Sequence, residues 1–306
     1  MSVRPLLKWV GGKRQLLPAL RRYYPATFGK YIEPFFGSGA VFFDLWEHGR
    51  LDGHPVVLID SNPDLVGCYQ VVRDDPDGVA AALEALAAGH TEGGRAHYYD
   101  VRDARFNPLR ESARQPDGRI TYTAELAAML IYLNRTGFNG LFRVNARGAF
   151  NVPIGRYQKP RIAERERVQR VSDALRAPGV SVRLGSFADV AATAEAGDFL
   201  YIDPPYAPLS QTANFTAYTA PRFGHDEQAA LQRMVVELAG RGCHILLSNS
   251  TAPLIAELYD GNADARSAGL TALKVPARRA INSNAARRGP VDEYVITNIT
   301  RSEVRP

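Results

Sequence analysis

The chain is poor in cysteine: Cys68 and Cys243 are the only two among its 306 residues. Two thiols are too few for a disulfide framework, and neither stands at metal-ligand spacing from another, so neither a structural zinc nor any other metal is expected. No apolar run approaches the roughly 18 to 20 residues of a membrane span. The opening Met1-Ser2-Val3-Arg4-Pro5 lacks the apolar core and small-residue cleavage site of a signal peptide. A reducing, cytoplasmic setting without a membrane partner is therefore expected. Internal repeats and low-complexity tracts are missing too. With 45% hydrophobic and 23% charged residues, the composition is that of an ordinary globular protein with ample core.

Acid is missing from long stretches of the chain, and two of them are rich in arginine. From Glu125 to Glu164 no acidic residue occurs, and the gap holds Arg135, Arg143, Arg147, Arg156, Lys159 and Arg161. A second acid-free stretch, Lys274 to Val291, holds Arg278, Arg279, Arg287 and Arg288. The formal net charge is only +5, so the distribution carries more than the total. Two segments of one sign in one chain suit a polyanion such as nucleic acid, although either alone reads as a solvated basic face.

What is present is most informative at Asp203-Pro204-Pro205-Tyr206, directly after the apolar run Phe199-Leu200-Tyr201-Ile202. That order places a carboxylate, two rigid prolines and an aromatic ring at the exit of a buried strand, where open α/β sheets form pockets. The prolines fix φ and remove two N–H donors. The cluster offers acceptors and a flat π-face without a nucleophile, which suits a planar substrate bearing an NH₂ group.

Upstream, residues 31–33 read as a strand, Phe35-Phe36-Gly37-Ser38-Gly39 as a glycine turn, Val41 to His48 as a helix, and Pro55 to Asp60 as a buried-type strand ending in a carboxylate. Gly37 and Gly39 let backbone approach a ligand closely, but the third glycine of G-x-G-x-x-G is absent. Asp60 could accept both hydroxyls of a ribose, or cap a helix before Asn62-Pro63. Lys8-Trp9-Val10-Gly11-Gly12-Lys13 reads either as a phosphate loop without Walker spacing or as a lid, with Lys13 reaching a carboxylate and Trp9 covering a ring or a sulfonium. Helical patterns follow at Val79 to Ala88, Tyr98 to Phe106 and Ala124 to Asn134, then a polar loop from Thr136 to Lys159. Strands are expected at Val180 to Leu184, Asp198 to Asp203, Cys243 to Leu247 and Glu293 to Ile299, with a helix over Asp226 to Ala239. The layout is an α/β sheet split by a helical insertion of roughly a hundred residues.

Taken together and in this order, these motifs resemble the amino-methyltransferases of the DNA adenine-N6 type, and specifically the Dam family. The likeness runs from about Leu7 to Ile299 and is weakest over residues 74 to 120. It is strong from Leu133-Asn134-Arg135 to Lys159-Pro160, from Asp203 through Ala207-Pro208-Leu209-Ser210 and Thr212 to Tyr218, and over Arg278 to Asn284 with Val291-Asp292-Glu293. The resemblance implies a Rossmann-like, S-adenosyl-L-methionine (SAM)-dependent methyltransferase sheet with a target-recognition insertion. Residues 1–66 and 177–306 would form the SAM-binding catalytic domain and residues 67–176 the recognition domain. It further implies that Trp9, Lys13, Asp60 and Asp203 bind SAM and that Phe35 to Gly39 form its turn. Double-stranded DNA is the implied partner, with adenine flipped out of the stack. Tyr206 would stack on that base, while Asp203 and the Pro204 carbonyl accept from N6–H, with Pro205 completing the motif.

For sequence reading, the resemblance implies that Leu141 meets a thymine methyl, Arg143 pairs with guanine, Pro153 and Tyr157 flank them, and Lys8 reaches the outer guanine. Phe138 and Asn139 would prop open the gap left by the flipped base; tyrosine is usual at the former position. Arg135, Asn145 and Asn151 would contact phosphates, and Gln158 replaces a commonly basic residue. The implied target is GATC. A separate restriction endonuclease is compatible with the chain, which carries no nuclease of its own. The competing readings are a cytosine-N4 methyltransferase, a catalytically silent DNA-binding module and an RNA-modifying enzyme.

Overall fold

The computed structural model describes residues 3–9, 11–209, 223–278 and 290–300. The chain divides into two compact units: Met1–Gly12, Gly37–Asp52 and Asp60–Leu184 form the first, and Lys13–Phe36, Gly53–Ile59 and Gly185–Pro306 the second. Among the described residues there are seven strands: β1 (Tyr31–Glu33), β2 (Val56–Asp60), β3 (Val180–Leu184), β4 (Phe199–Ile202), β5 (His244–Ser250), β6 (Thr271–Arg278) and β7 (Pro290–Thr297). The helices include α1 (Leu17–Leu20), α2 (Ala40–Glu47), α3 (Pro63–Asp74), α4 (Pro76–Tyr99), α5 (Asn107–Ser112), α6 (Ala124–Thr136), α7 (Arg165–Leu175) and α8 (His225–Gly240).

The second unit is built on a sheet in the order β2-β1-β4-β5-β7-β6. Its first four strands are parallel, with Ile32 opposite Val57, Tyr31 opposite Phe199, and Leu200 opposite Ile245. β7 runs antiparallel to both β5 and β6. Phe199 to Ile202 are all buried, as a central parallel strand covered on both faces requires. Around them pack Ile32, Leu231, Val235, Leu238, Ile245, Leu247 and Ile296. β2 lies on one side of β1 and β4 on the other, so the chain's direction of winding reverses there, and the carboxyl ends of all three strands share one edge. Ligands of open α/β sheets bind at such a switch point.

The first unit is helical around α6, in which Leu126 to Thr136 are all buried. A helix that is buried all round belongs to the interior of its unit. Thr123 caps it by accepting from Leu126 N–H. α3 starts at Pro63, with the Asn62 side chain accepting from Asp64 and Leu65 N–H. α4 is 24 residues long and kinks at Gly94, whose φ is 47° and ψ −116°. It thus runs well past the expected stop at Ala88, followed by a π-helical turn over Asp100–Phe106. α3 and α7 were not expected as separate helices, nor β6 as a strand. No described helix is long and apolar enough to cross a membrane.

Candidate active site

At the exit of β4 the Lys13 ammonium lies 2.9 Å from Asp203 Oδ1, with the two side chains only 4% and 20% exposed. The distance is that of a charge-assisted hydrogen bond, and this interaction opposes the effect of burial on the Asp203 carboxyl. A carboxylate has about four acceptor sites, so the partly exposed Asp203 side chain keeps capacity for a further donor. Lys13 Nζ also sits 4.3 Å from the Tyr206 ring centroid. The Tyr206 hydroxyl donates to Glu293 Oε2 at 2.7 Å, which fixes the ring. Burial pushes the Asp203 carboxyl up to about 6; Lys13 pulls it back, and the nearby Glu293 charge adds to the rise. The Tyr206 phenol is held well above its usual range by burial first, then by Asp203 and Glu293.

A buried polar cradle holds the backbone of this loop. Gln228 Nε2 donates to the Pro205 carbonyl at 2.8 Å, and Asn249 Nδ2 donates to Gln228 Oε1 at 3.1 Å. Ala207 N–H donates to Asn249 Oδ1, and Ser250 Oγ donates to the Ala207 carbonyl. Sequence reasoning missed Gln228, Asn249, Ser250 and Glu293. Their one signal is polar interruption: Ser248-Asn249-Ser250 ends an otherwise apolar β5 in which every residue after His244 is buried.

On the cofactor side, Gly37 and Gly39 adopt φ of 48° and 69°, the left-handed region that glycine tolerates. Gly37 N–H donates to Asp60 Oδ2 and Asn62 N–H to Asp60 Oδ1, both at 2.9 Å. The helix cap is therefore Asn62, not Asp60. Burial raises the Asp60 carboxyl, opposed by these backbone donors. A carboxylate has about four acceptor sites, so Asp60 keeps capacity for ribose hydroxyls. Phe35 stacks on Phe187 at 5.5 Å and meets Phe223 edge-on at 5.6 Å; the last two rings were not foreseen. Trp9 stacks on Phe142 at 5.8 Å. Lys13 meets a carboxylate, which is the lid alternative for its segment. Within the first unit, a left-handed glycine turn hydrogen-bonded to a carboxylate has the chemistry of an adenosine-binding turn.

The residues expected to read DNA lie in the first unit. Phe138 is 47% exposed, unusual for a large apolar ring, and its N–H donates to the Pro153 carbonyl. Asn139 next to it has φ of 55°, the sole left-handed non-glycine residue among those described. Tyr157 is 39% exposed, with Lys8 Nζ 4.1 Å from its ring centroid. Lys8 is lowered by burial and by Arg135. Its backbone is clasped on both sides by the Asn134 amide, at 2.7 and 2.9 Å. Leu141 is half-buried and Arg143 exposed. Arg143 Nε donates to Asn151 Oδ1 at 2.7 Å, so Asn151 orients the arginine. Asn145 Oδ1 accepts from Arg147 and Ala149 N–H and builds a turn.

Arg135 corrects the expectation of a phosphate contact. Its side chain is 4% exposed, pairs with Glu164 at 2.9 Å and donates to the carbonyls of Leu6, Arg161 and Ile162. Burial, then Arg167, lowers it to about 10. The guanidinium serves the interior of its unit. Ser210, Thr212 to Tyr218 and Arg279 to Arg288 lie outside the described residues. Both cysteines are buried; desolvation raises Cys243 to about 11 and Cys68 further. Among the described residues no cluster of three or more acidic, histidine or cysteine side chains is arranged to hold a metal.

The family model of the D12 class N6 adenine-specific DNA methyltransferases matches residues 9–280. The chain belongs to that family, is an adenine-specific DNA methyltransferase, and has the Rossmann-like sheet of SAM-dependent methyltransferases. Among its relatives, Type II methyltransferase M1.LlaDCHI of Lactococcus lactis subsp. cremoris is 36% identical over 301 residues, covering 97% of this chain and 96% of that protein. M.MjaIII of Methanocaldococcus jannaschii is also 36% identical, over 97% and 100% of the two chains. The DNA adenine methylase of Escherichia coli K12 is 38% identical over 95% and 94%.

Proposed function

We propose that this enzyme methylates the adenine of GATC in duplex DNA with SAM as donor, in a single direct transfer. The reading gives Trp9, Lys13, Phe35, Gly37, Gly39, Asp60 and Asp203 to the cofactor, and residues 67–176 to target recognition. Its main support is the partly exposed Asp203 carboxylate at the exit of β4, beside a ring fixed by Glu293. The lone pair of an aromatic amine is delocalised and poorly nucleophilic. The Asp203 carboxylate and the Pro204 carbonyl accept from N6–H and draw the nitrogen toward tetrahedral geometry, while Tyr206 holds the base by its face. SAM, when bound, supplies an electrophilic methyl, and in-line positioning at about 3 to 3.5 Å can account for much of the rate. The chain needs no covalent intermediate, in keeping with two buried, high-pKa thiols.

Target choice follows from Arg143, presented on an exposed turn and aimed by Asn151. An arginine fork reads guanine N7 and O6, and Leu141 suits a thymine methyl. Pro153, Tyr157 and Lys8 complete the contact, and Phe138 with Asn139 fills the vacated base position. Asn145 and Asn151 act through their loops. Incubating a GATC-bearing plasmid with enzyme and SAM should protect it from a nuclease that cuts only unmethylated GATC. Complete cleavage alongside methyl incorporation would assign another target, and N4-methylcytosine in the nucleoside digest would overturn the base assignment.

A further inference from the structure

The segment that presents Arg143 is a short two-stranded hairpin. Arg143 to Asn151 form a hairpin with a bridge at Val144 and Phe150 and with backbone bonds that include Asn145 N–H to the Ala149 carbonyl, Gly148 N–H to the Asn145 carbonyl and Asn151 N–H to the Arg143 carbonyl. A lone two-stranded hairpin is marginal in water. Its placement must come from elsewhere.

The returning strand is held on alternate residues. The Gly148 carbonyl accepts from Arg110 Nη1 at 2.6 Å. Phe150 is gripped by one side chain at both backbone atoms: its N–H donates to Asn107 Oδ1 at 2.8 Å, and Asn107 Nδ2 donates to its carbonyl at 3.0 Å. The Val152 carbonyl accepts from Tyr98 Oη and Arg102 Nη1, each at 3.0 Å. Side chains on one helical stretch thus act as the missing neighbour strand. The intervening residue Asn151 faces the other way, toward Arg143, as period-two alternation dictates. Arg110 is itself anchored by a buried, two-pronged pair with Asp64 at 2.6 and 2.7 Å, and Tyr122 donates to the same carboxylate at 2.8 Å. Phe106 meets Phe150 edge-on at 5.8 Å.

We infer that Asn107 and Arg110 of α5 are specificity-positioning residues: they set the height of the hairpin and hence the reach of the Arg143 fork into the groove. Neither lies in the acid-free recognition stretch, and both fall where the likeness to the Dam family is weakest. The inference rests on Arg143 reading a base. A guanidinium displaced by about 1 Å loses a two-pronged contact but keeps its charge, so the cost falls on one base pair rather than on affinity for all DNA.

The test measures kcat/KM for Asn107→Ala, Asn107→Asp, Arg110→Lys and Arg143→Ala on a GATC duplex and on every singly substituted site, alongside SAM affinity and the thermal midpoint. Arg143→Ala should lower discrimination at one base pair by about tenfold or more. The Asn107 variants and Arg110→Lys should lower it at that same pair, with SAM affinity within about twofold of wild type. If Arg143→Ala relaxes one position while the α5 variants keep full discrimination, or lose activity equally on every site, the inference is wrong and the reading of Arg143 stands. If Arg143→Ala relaxes no position, the reading itself fails. Should Arg110→Lys not fold, the near-isosteric Asn107→Asp decides between these outcomes.

Discussion

Single-turnover methylation, followed with saturating SAM and DNA between pH 5 and pH 8, should report the protonation of Asp203. The acceptor form is the carboxylate, and burial lifts its pKa to about 6 against the partial relief from Lys13. Well above pH 6 nearly all of it is ionised; at pH 5 about one part in ten is, so the rate should fall roughly tenfold on the acid side. Lys13→Met removes the group that opposes the rise, and the acid limb should then move to higher pH. Stability carries the same signature with a definite sign. The folded state holds this proton at pH values where the unfolded chain has lost it, so the contribution of Asp203 to stability declines as pH rises from about 4 through 6. Roughly two pH units of displacement at about 1.36 kcal/mol each correspond to about 3 kcal/mol. The stability of wild type minus that of Asp203→Asn, from urea melts, should therefore fall by an amount of that order between pH 4 and pH 7.5. A rate profile flat to pH 5, or an acid limb that Lys13→Met leaves in place, would refute the electrostatic account.

Arg135→Gln should destabilise the protein by at least about 1 to 3 kcal/mol, because it takes donors from the carbonyls of Leu6, Arg161 and Ile162 while Glu164 keeps its pair with Arg167; the slope of log DNA affinity against log salt should stay at the wild-type value, whereas loss of a phosphate contact makes it shallower. Phe138→Ala should reduce the fluorescence rise of 2-aminopurine placed at the target adenine and slow turnover, with SAM binding unchanged in calorimetry; an unaltered signal would remove the ring from base flipping. Tyr206→Phe keeps the stacking face and loses the bond to Glu293, so its turnover should drop less than that of Tyr206→Ala, and equal losses would show that the hydroxyl bond, rather than the ring face, sets the rate.

The residues closest to the chemistry were legible because their constraints are local. A carboxylate, two prolines and a tyrosine after an all-apolar strand, or two left-handed glycines after another, have few alternative uses. The side chains that hold them were not, since Glu293 is 87 positions from Tyr206 and Asn107 is 43 from Phe150. Only topology brings such pairs together. Arg135 misled for a related reason: in sequence it is one more cation in a basic stretch, and its burial depends on carbonyls that arrive from Leu6 and Ile162. α4 outruns its expected end at Ala88 and continues through Gly89, Gly93 and Gly94, residues of low helix propensity. In the fold the bare backbone at Gly89 makes room for the His97 ring, while Gly94 bends the helix without ending it. α7 was hidden by its charges, although Val168, Val171, Ala174 and Leu175 mark a buried face at helical spacing.

Both native sulfhydryls sit in the interior with weakened acidity, so alkylating probes should pass them by. A thiol engineered at the fingertip, as in Asn139→Cys, would then be the single fast-reacting handle on the surface. An environment-sensitive dye attached there would report whether the Phe138–Asn139 turn meets the duplex, without first stripping the protein of its own sulfur.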